Sequence, residues 1–227
     1  MPSLTVGLDL GSAVDYSALA VVERVYVLPP MISLGQWWRT PDVYQRAVRE
    51  ERHVRHLQRW ERGTPYPSVV ADVRALMASD ALKDGLLVLD ATGVGRAVLD
   101  MFKEGGDRLG CSFPIPITIT SGNTRNGWNM PKQDLIAAVQ APLQQGRLKV
   151  AESLALAPIL ERELVNFRLK IGPSGREAVD IARGDETGHG DLSTALMLAC
   201  VIDNTMRRPD VIEDPRTVSA PWGAPTL

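Results

Sequence analysis

Two short apolar runs, each closing on an aspartate, constrain this chain more than any other feature. Leu4 to Leu10 is mainly apolar, with Thr5 and Gly7 inside it, and runs into Asp9-Leu10-Gly11-Ser12. Leu86 to Leu89 is wholly apolar, preceded by Asp84-Gly85 and followed by Asp90-Ala91-Thr92-Gly93. Runs this short with no solvated face are expected as strands covered on both sides. Such a sheet needs helices above and below it, which places the chain in the layered α/β class. Each aspartate then falls at the C-terminal end of a buried strand, where open α/β sheets build their sites.

The remaining pattern agrees with layering. Ala18 to Leu28 is β-branched and apolar, closed by Pro29-Pro30, and the short Gly11 to Ser17 connection pairs it antiparallel with the first strand. Between Asp42 and Arg62, Ala47, Val54, Leu57 and Trp60 follow helical spacing, as do Arg46, Arg49, Arg52 and Arg55, while His53 to Trp60 reads equally as an edge strand. The turn Thr64 to Ser68 leads into an amphipathic helix carrying Val69, Val70, Val73, Leu76 and Met77. A helix over Val94 to Lys103 and a strand over Pro114 to Thr120 follow, then a Gly/Asn loop from Ser121 to Asn129. Pro131 suits the first position of a helix running to Gln145, with Asp134 in its first turn, Pro142 as a site for a kink and Gly146 as its stop. Next come a strand Arg147 to Val150, a helix Leu156 to Asn166, a hairpin of Phe167 to Ile171 with Arg176 to Ile181, and a last helix from Asp191 through Ile202.

At 227 residues the chain supports one sizeable core, expected over residues 1–206, with a loose Pro-rich tail over 207–227. A net charge of -2 advertises no nucleic-acid coat, although a basic face can hide in a neutral total. Cys111 and Cys200 are too few and too isolated for a disulfide scaffold or a zinc site. With no signal core or spanning segment, a soluble, cytoplasmic protein is expected.

The chemistry centres on three aspartates: Asp9, Asp90, and Asp191 behind Gly188-His189-Gly190. Taken singly, an aspartate after a strand is a turn former, and one at a helix start is favoured by the helix dipole. Together, three carboxylates from distant segments suit hard cations such as magnesium. Phosphodiester cleavage is well served by two such ions about 4 Å apart. Without a cation, like charges at close range raise one another's pKa.

The order of motifs goes further. Val6-Gly7-Leu8-Asp9-Leu10-Gly11, with Asp15 and Ser17-Ala18-Leu19 behind it, resembles the first strand and hairpin of the nuclease domains of phage terminase large subunits. Leu86 to Gly95 is similar to their second acidic motif, and Gly63-Thr64-Pro65-Tyr66-Pro67 to their turn into the first helix. Trp128-Asn129-Met130-Pro131-Lys132, Asp134-Leu135-Ile136, Gly146-Arg147-Leu148, Glu163-Leu164, Phe167, Gly188-His189-Gly190-Asp191-Leu192 and Ala195-Leu196 continue the match in order. The resemblance implies a ribonuclease-H-like three-layer fold with a mixed central sheet flanked by helices. It implies an endonuclease using Mg2+ or Mn2+, as two ions, to cut double-stranded DNA during viral genome packaging. The metal ligands transfer to Asp9, Asp90 and Asp191. Asp15 is an auxiliary candidate, with a loop-capping role equally open, and His189 is another, with a satisfied loop histidine as its alternative. Lys132 and Arg125 are the expected DNA contacts. The arginines of Arg46 to Arg62 could track a phosphate backbone, but Glu50, Glu51 and Glu61 interrupt them and favour a solvated, salt-bridged face.

The sequence holds no Gly-x-x-x-x-Gly-Lys-Ser/Thr phosphate loop, so the packaging ATPase implied by the resemblance is expected as a separate partner alongside other packaging proteins, unless the chain is an excised domain or a free-standing relative. Other readings stay beside this one. Asp9-Leu10-Gly11-Ser12 also resembles the first phosphate loop of sugar kinases and actin-like ATPases, which need two such subdomains. Gly93-x-Gly95 is too short for a dinucleotide loop. A Holliday-junction resolvase-like nuclease shares fold and acidic site, and a non-catalytic DNA-packaging assembly subunit would have kept the fold alone.

Overall fold

A computed structural model describes residues 3–12, 14–28, 39, 48–104, 114–165, 167–171, 177–181, 190–202 and 211–212. Its strands are β1 (Ser3–Asp9), β2 (Ala18–Val27), β3 (Arg49–Arg59), β4 (Leu86–Asp90), β5 (Ile115–Thr120), β6 (Asn129–Pro131), β7 (Leu148–Val150), β8 (Phe167–Ile171), β9 (Glu177–Ile181) and β10 (Val211–Ile212). Its helices, here α1 to α5, are Tyr66–Met77, Gly95–Glu104, Lys132–Gln144, Ala157–Val165 and Asp191–Val201.

The central sheet runs β6-β5-β4-β1-β2-β3-β7, with β10 beside β2. β1 is antiparallel to β2 and parallel to β4, and β4, β5 and β6 continue parallel. β3 is antiparallel to β2 and so runs with β1. The carboxyl ends of β1, β3, β4, β5 and β6 therefore share one edge of the sheet. β8 and β9 form the expected hairpin apart from it. This is the mixed sheet flanked by helices anticipated from the sequence.

Strand alternation divides the core in two. Leu4, Val6 and Leu8 of β1, with Leu87 and Leu89 of β4, face α1 and α2 and pack with Val69, Val73, Val98 and Phe102. Val88 of β4 and Ala18, Ala20 and Val22 of β2 face the opposite layer, where Leu135 of α3, Leu160 of α4 and Leu192, Ala195 and Leu196 of α5 cover them. α5 is buried along most of its length, which explains why it reads as apolar all round and not as a stripe.

Three expectations need correction or extension. The helical spacing within Asp42 to Arg62 does not make a helix at 49–59; β3 is a strand, and its pairing with β7 at Arg52–Val54 means it is not an open edge there. The register skips Arg55: Val54 lies opposite Val22 and His56 opposite Val21. That bulge puts Val54 and Leu57, three positions apart, on one face, and so imitates a helical period. Residues 42–47 lie outside the described residues. Pro131 does not open α3. Its ψ of 136° is extended, and it ends β6 opposite Thr120. Within the segment read as a loose tail, Val211–Ile212 pairs with Tyr26–Val27.

Candidate functional site

Asp9 and Asp90 end neighbouring parallel strands. The last paired residues are Leu8 and Leu89, so the two aspartates follow side by side. Because side chains alternate along a strand, Asp9 shares the face of Gly7, and Asp90 shares the face of Val88, which is the α5 side of the sheet.

Gly7 sets how close α5 comes. A Cβ built on Gly7 would stand 2.0 Å from the Ala195 carbonyl oxygen and 2.6 Å from the Ala199 nitrogen. α5 thus lies directly on the backbone of β1. Asp191 precedes Ala195 by one turn, roughly 6 Å of helix, and Asp9 follows Gly7 by a similar roughly 6.6 Å of strand. The contact at Gly7 therefore carries the start of α5 to the end of β1.

Each acid is held by its own surroundings. Asp191 is only 4% exposed, behind Gly190, whose φ of 83° suits glycine. The hydroxyls of Ser193 and Thr194 both donate to the Gly190 carbonyl, at 2.7 and 3.0 Å. The Ser193 N–H donates to Oε2 of Glu163 in α4 at 2.8 Å. Glu163 is 2% exposed, and its Oε1 is buried without a hydrogen-bond partner among the described residues. Asp90 accepts the Thr92 N–H at 2.7 Å, while Thr92 Oγ1 accepts the Ile119 N–H at 3.0 Å, tying the end of β4 to β5. After β1, the Gly11 N–H donates to Ser17 Oγ at 3.1 Å and the Tyr66 hydroxyl donates to the Gly11 carbonyl at 2.9 Å. Asp15 accepts the Ser12 hydroxyl at 2.8 Å in the same loop.

The charges of these groups act on one another. Burial raises the Asp9 carboxyl well above its usual range, and Asp90, Asp191, Glu163 and Asp15 push it further in the same direction. Burial also raises Asp90, against the hydrogen bonds from Thr92 that lower it. Glu163 is pushed up to about 7, by burial first, with Asp191 adding to the rise and the Ser193 hydrogen bonds and Arg59 opposing it. Asp9, Asp90, Asp191, Glu163 and Asp15 thus form one electrostatic cluster, with Arg59 near it. Among the described residues no three His, Cys, Asp or Glu side chains are already drawn together as a metal cage.

Glu163 was not singled out in the sequence beyond its place in the string Glu163-Leu164. The signal lay in its spacing: Leu160, Glu163 and Leu164 occupy one helical stripe, and an acid in an apolar stripe is out of place unless it has work there.

Basic residues flank the cluster along the same edge. Arg59 and Arg62 both lie over the Tyr16 ring, 4.1 and 4.5 Å from its centroid. Lys132 begins α3 at the end of β6, two strands from β4, or roughly 10 Å. Arg125 is exposed in the loop before β6. The other arginines of β3 are engaged: Arg52 pairs with Glu50, Arg55 with Glu23 and Arg49 with Glu51, and Arg24 of β2 joins Glu50. That is the salt-bridged face expected there, half-buried rather than fully solvated. His189 lies outside the described residues.

No protein-family model matches the chain, and no curated protein does. Solved structures do. The large terminase nuclease of thermophilic phage G20c with bound magnesium superposes with a TM-score of 0.56 at 22% identity, over 87% of this chain and 80% of that one. The chain has the terminase-nuclease fold. The nuclease domain of gp2 from bacterial virus Sf6 gives a TM-score of 0.57 at 12% identity over 87% of both chains. The nuclease domain of Thermus phage P74-26 gives 0.52 at 19%, over 87% of this chain and 78% of that one. At these identities the likeness is one of fold, and within this terminase-nuclease, ribonuclease-H-like fold the acidic cluster occupies the carboxyl edge of the central sheet. No helix among the described residues is long and apolar enough to cross a membrane.

Proposed function

We propose that this chain is a divalent-metal-dependent endonuclease that cuts double-stranded DNA in viral genome packaging, with Asp9, Asp90 and Asp191 as its metal ligands. The observation that carries this reading is that Asp9 and Asp90 end adjacent parallel strands while α5, which Asp191 opens, is seated on Gly7 of β1. Asp9, raised by burial and further by Asp90, Asp191, Glu163 and Asp15, sits in a cluster of acids that is costly unless a cation relieves it.

The donor set fits a hard divalent ion. It offers carboxylate oxygen alone, and a buried oxygen of Glu163 has no hydrogen-bond partner among the described residues beside it. Magnesium bound to the G20c nuclease of the same fold supports this choice. Bound ions supply Lewis acidity and lower the pKa of water, the chemistry phosphodiester hydrolysis requires. The protein's part is to hold its carboxylates aligned at one edge, where a bound cation would favour their ionised form. Lys132, Arg125 and the Arg59–Arg62 pair flank that edge on both sides and would grip phosphates there. Contacts of this kind position DNA and carry little base information, so sequence specificity is expected to be low. Asp15, hydrogen-bonded to Ser12 within reach of Asp9's charge, is an auxiliary acid in this scheme. Partners would be duplex DNA, a packaging ATPase and other packaging proteins.

Plasmid cleavage with magnesium or manganese tests the reading, comparing the parent chain, Asp90→Ala and an EDTA control. Metal-dependent cutting that disappears in Asp90→Ala supports it. Cutting that survives the substitution removes Asp90 from the site, and a folded, cation-binding chain that never cuts favours an assembly role.

A further inference from the structure

Glu163 has no place in the three-aspartate reading, yet it is the acid whose surroundings are hardest to explain without a ligand. It sits on α4 at 2% exposure, where a carboxylate loses nearly all hydration. One oxygen, Oε2, accepts the Ser193 N–H at the start of α5. The other, Oε1, is buried with no hydrogen-bond partner among the described residues. Its charge bears on Asp191 and on Asp9.

Capping α5 does not account for this arrangement. A neutral amide or hydroxyl oxygen can also accept an N-terminal N–H, without adding a buried charge to the acids that bear on Asp9. We infer that Glu163 is a fourth oxygen donor of the cation site, with Oε2 anchored by the Ser193 N–H and Oε1 left for the ion. The inference rests on the metal-site reading above and extends it in one respect. α4 and α5 then meet the ion as one unit, because the N–H that anchors Glu163 lies two residues beyond Asp191. An ion entering the site satisfies the orphaned oxygen and offsets the repulsion among the acids together.

The test is manganese binding to the full chain by calorimetry, with Glu163→Gln against the parent and folding checked by circular dichroism in EDTA. Glutamine keeps an oxygen for the Ser193 N–H and removes the charge. Glu163→Gln is expected to fold and to bind manganese roughly tenfold or more weakly. Parent-like affinity in the folded variant overturns the inference and leaves the three-aspartate site standing. A parent chain that binds no manganese overturns both. A second measurement needs no substituted protein for its readout: substoichiometric manganese added to the parent chain carrying 13C-carboxyl aspartate and glutamate. Broadening of the Glu163 resonance together with the aspartates supports donation. A sharp Glu163 resonance beside broadened aspartates overturns it. The resonance is assigned with Glu163→Gln or, should that variant not fold, Glu163→Asp.

Discussion

Asp9 and Glu163 carry raised carboxyl pKa values inside a folded chain, and that fixes the sign of a pH effect. A carboxyl whose folded pKa exceeds its unfolded value keeps its proton longer in the native state. The associated stability is present below the unfolded value and lost as pH rises through the folded one. For Glu163 the window runs from 4.5 to about 7, and Asp9 shifts in the same direction. In EDTA, the thermal midpoint is therefore expected to fall between pH 5 and pH 8. Glu163→Gln should flatten part of that fall, and a midpoint that rises with pH would contradict the account. Arg62 offers a second prediction, since it is exposed and stacked on Tyr16 at the acidic edge. If it contacts a phosphate, Arg62→Ala should weaken duplex binding measured with calcium and lower the slope of log affinity against log salt by about 1. An unchanged slope would leave Arg62 to the Tyr16 contact alone. Residue by residue, the places of Asp9, Asp90 and Asp191 at the ends of their elements were legible because each closes or opens an apolar run. Glu163 was hidden because an acid within a helix ordinarily reads as solvated, and Arg59 could not be told from the salt-bridged arginines before it.

Among the elements, the seat of α5 on β1 decides whether the acids meet. Gly7→Ala places a Cβ against backbone atoms of α5, which cannot rotate away. Overpacking of this kind costs about 1–3 kcal/mol, occasionally more. A lowered thermal midpoint and weakened manganese affinity are expected together. Gly63→Ala is the useful control: its Cβ meets nothing within 4 Å, and its strain comes only from a φ of 78°. It should lose stability without a selective loss of manganese affinity. If Gly7→Ala binds manganese as the parent does, the seat does not position Asp191. Strand and helix types were largely readable from apolar runs and turn residues. β3 was not, because the bulge at Arg55 rearranges which residues share a face, and that depends on the partner strand. Pro131 misled for a related reason. Its φ suits a helix start and an extended strand alike, and pairing with Thr120 decides between them.

At the scale of the molecule, the sheet gathers one kind of charge at the centre of its carboxyl edge and the opposite kind on the flanks. Cation binding there should stabilise the whole chain, by about 2.7 kcal/mol when the free ion stands at 100 times its Kd. Manganese should accordingly raise the thermal midpoint of the parent, and Asp90→Ala should reduce or abolish the rise. An equal rise in both would place the ion elsewhere. The architecture was legible because alternating apolar strands and helices leave few ways to layer a chain. The convergence of particular side chains depends on register and helix placement, which composition does not encode.

The acids enter the chain in the order 9, 90, 163 and 191, so the last of them arrives on the final described helix. During synthesis the first two strand ends can be in place long before that helix leaves the ribosome. On the proposed ligand set, an unfinished chain, however much of its sheet has formed, would have no complete site. A chain ending before Gly190 should bind manganese poorly and leave plasmid uncut even where it retains sheet structure, and cutting by such a chain would show that the acids preceding α5 suffice. The proposed DNA-cutting activity would thus be withheld from nascent protein by the order of the residues alone.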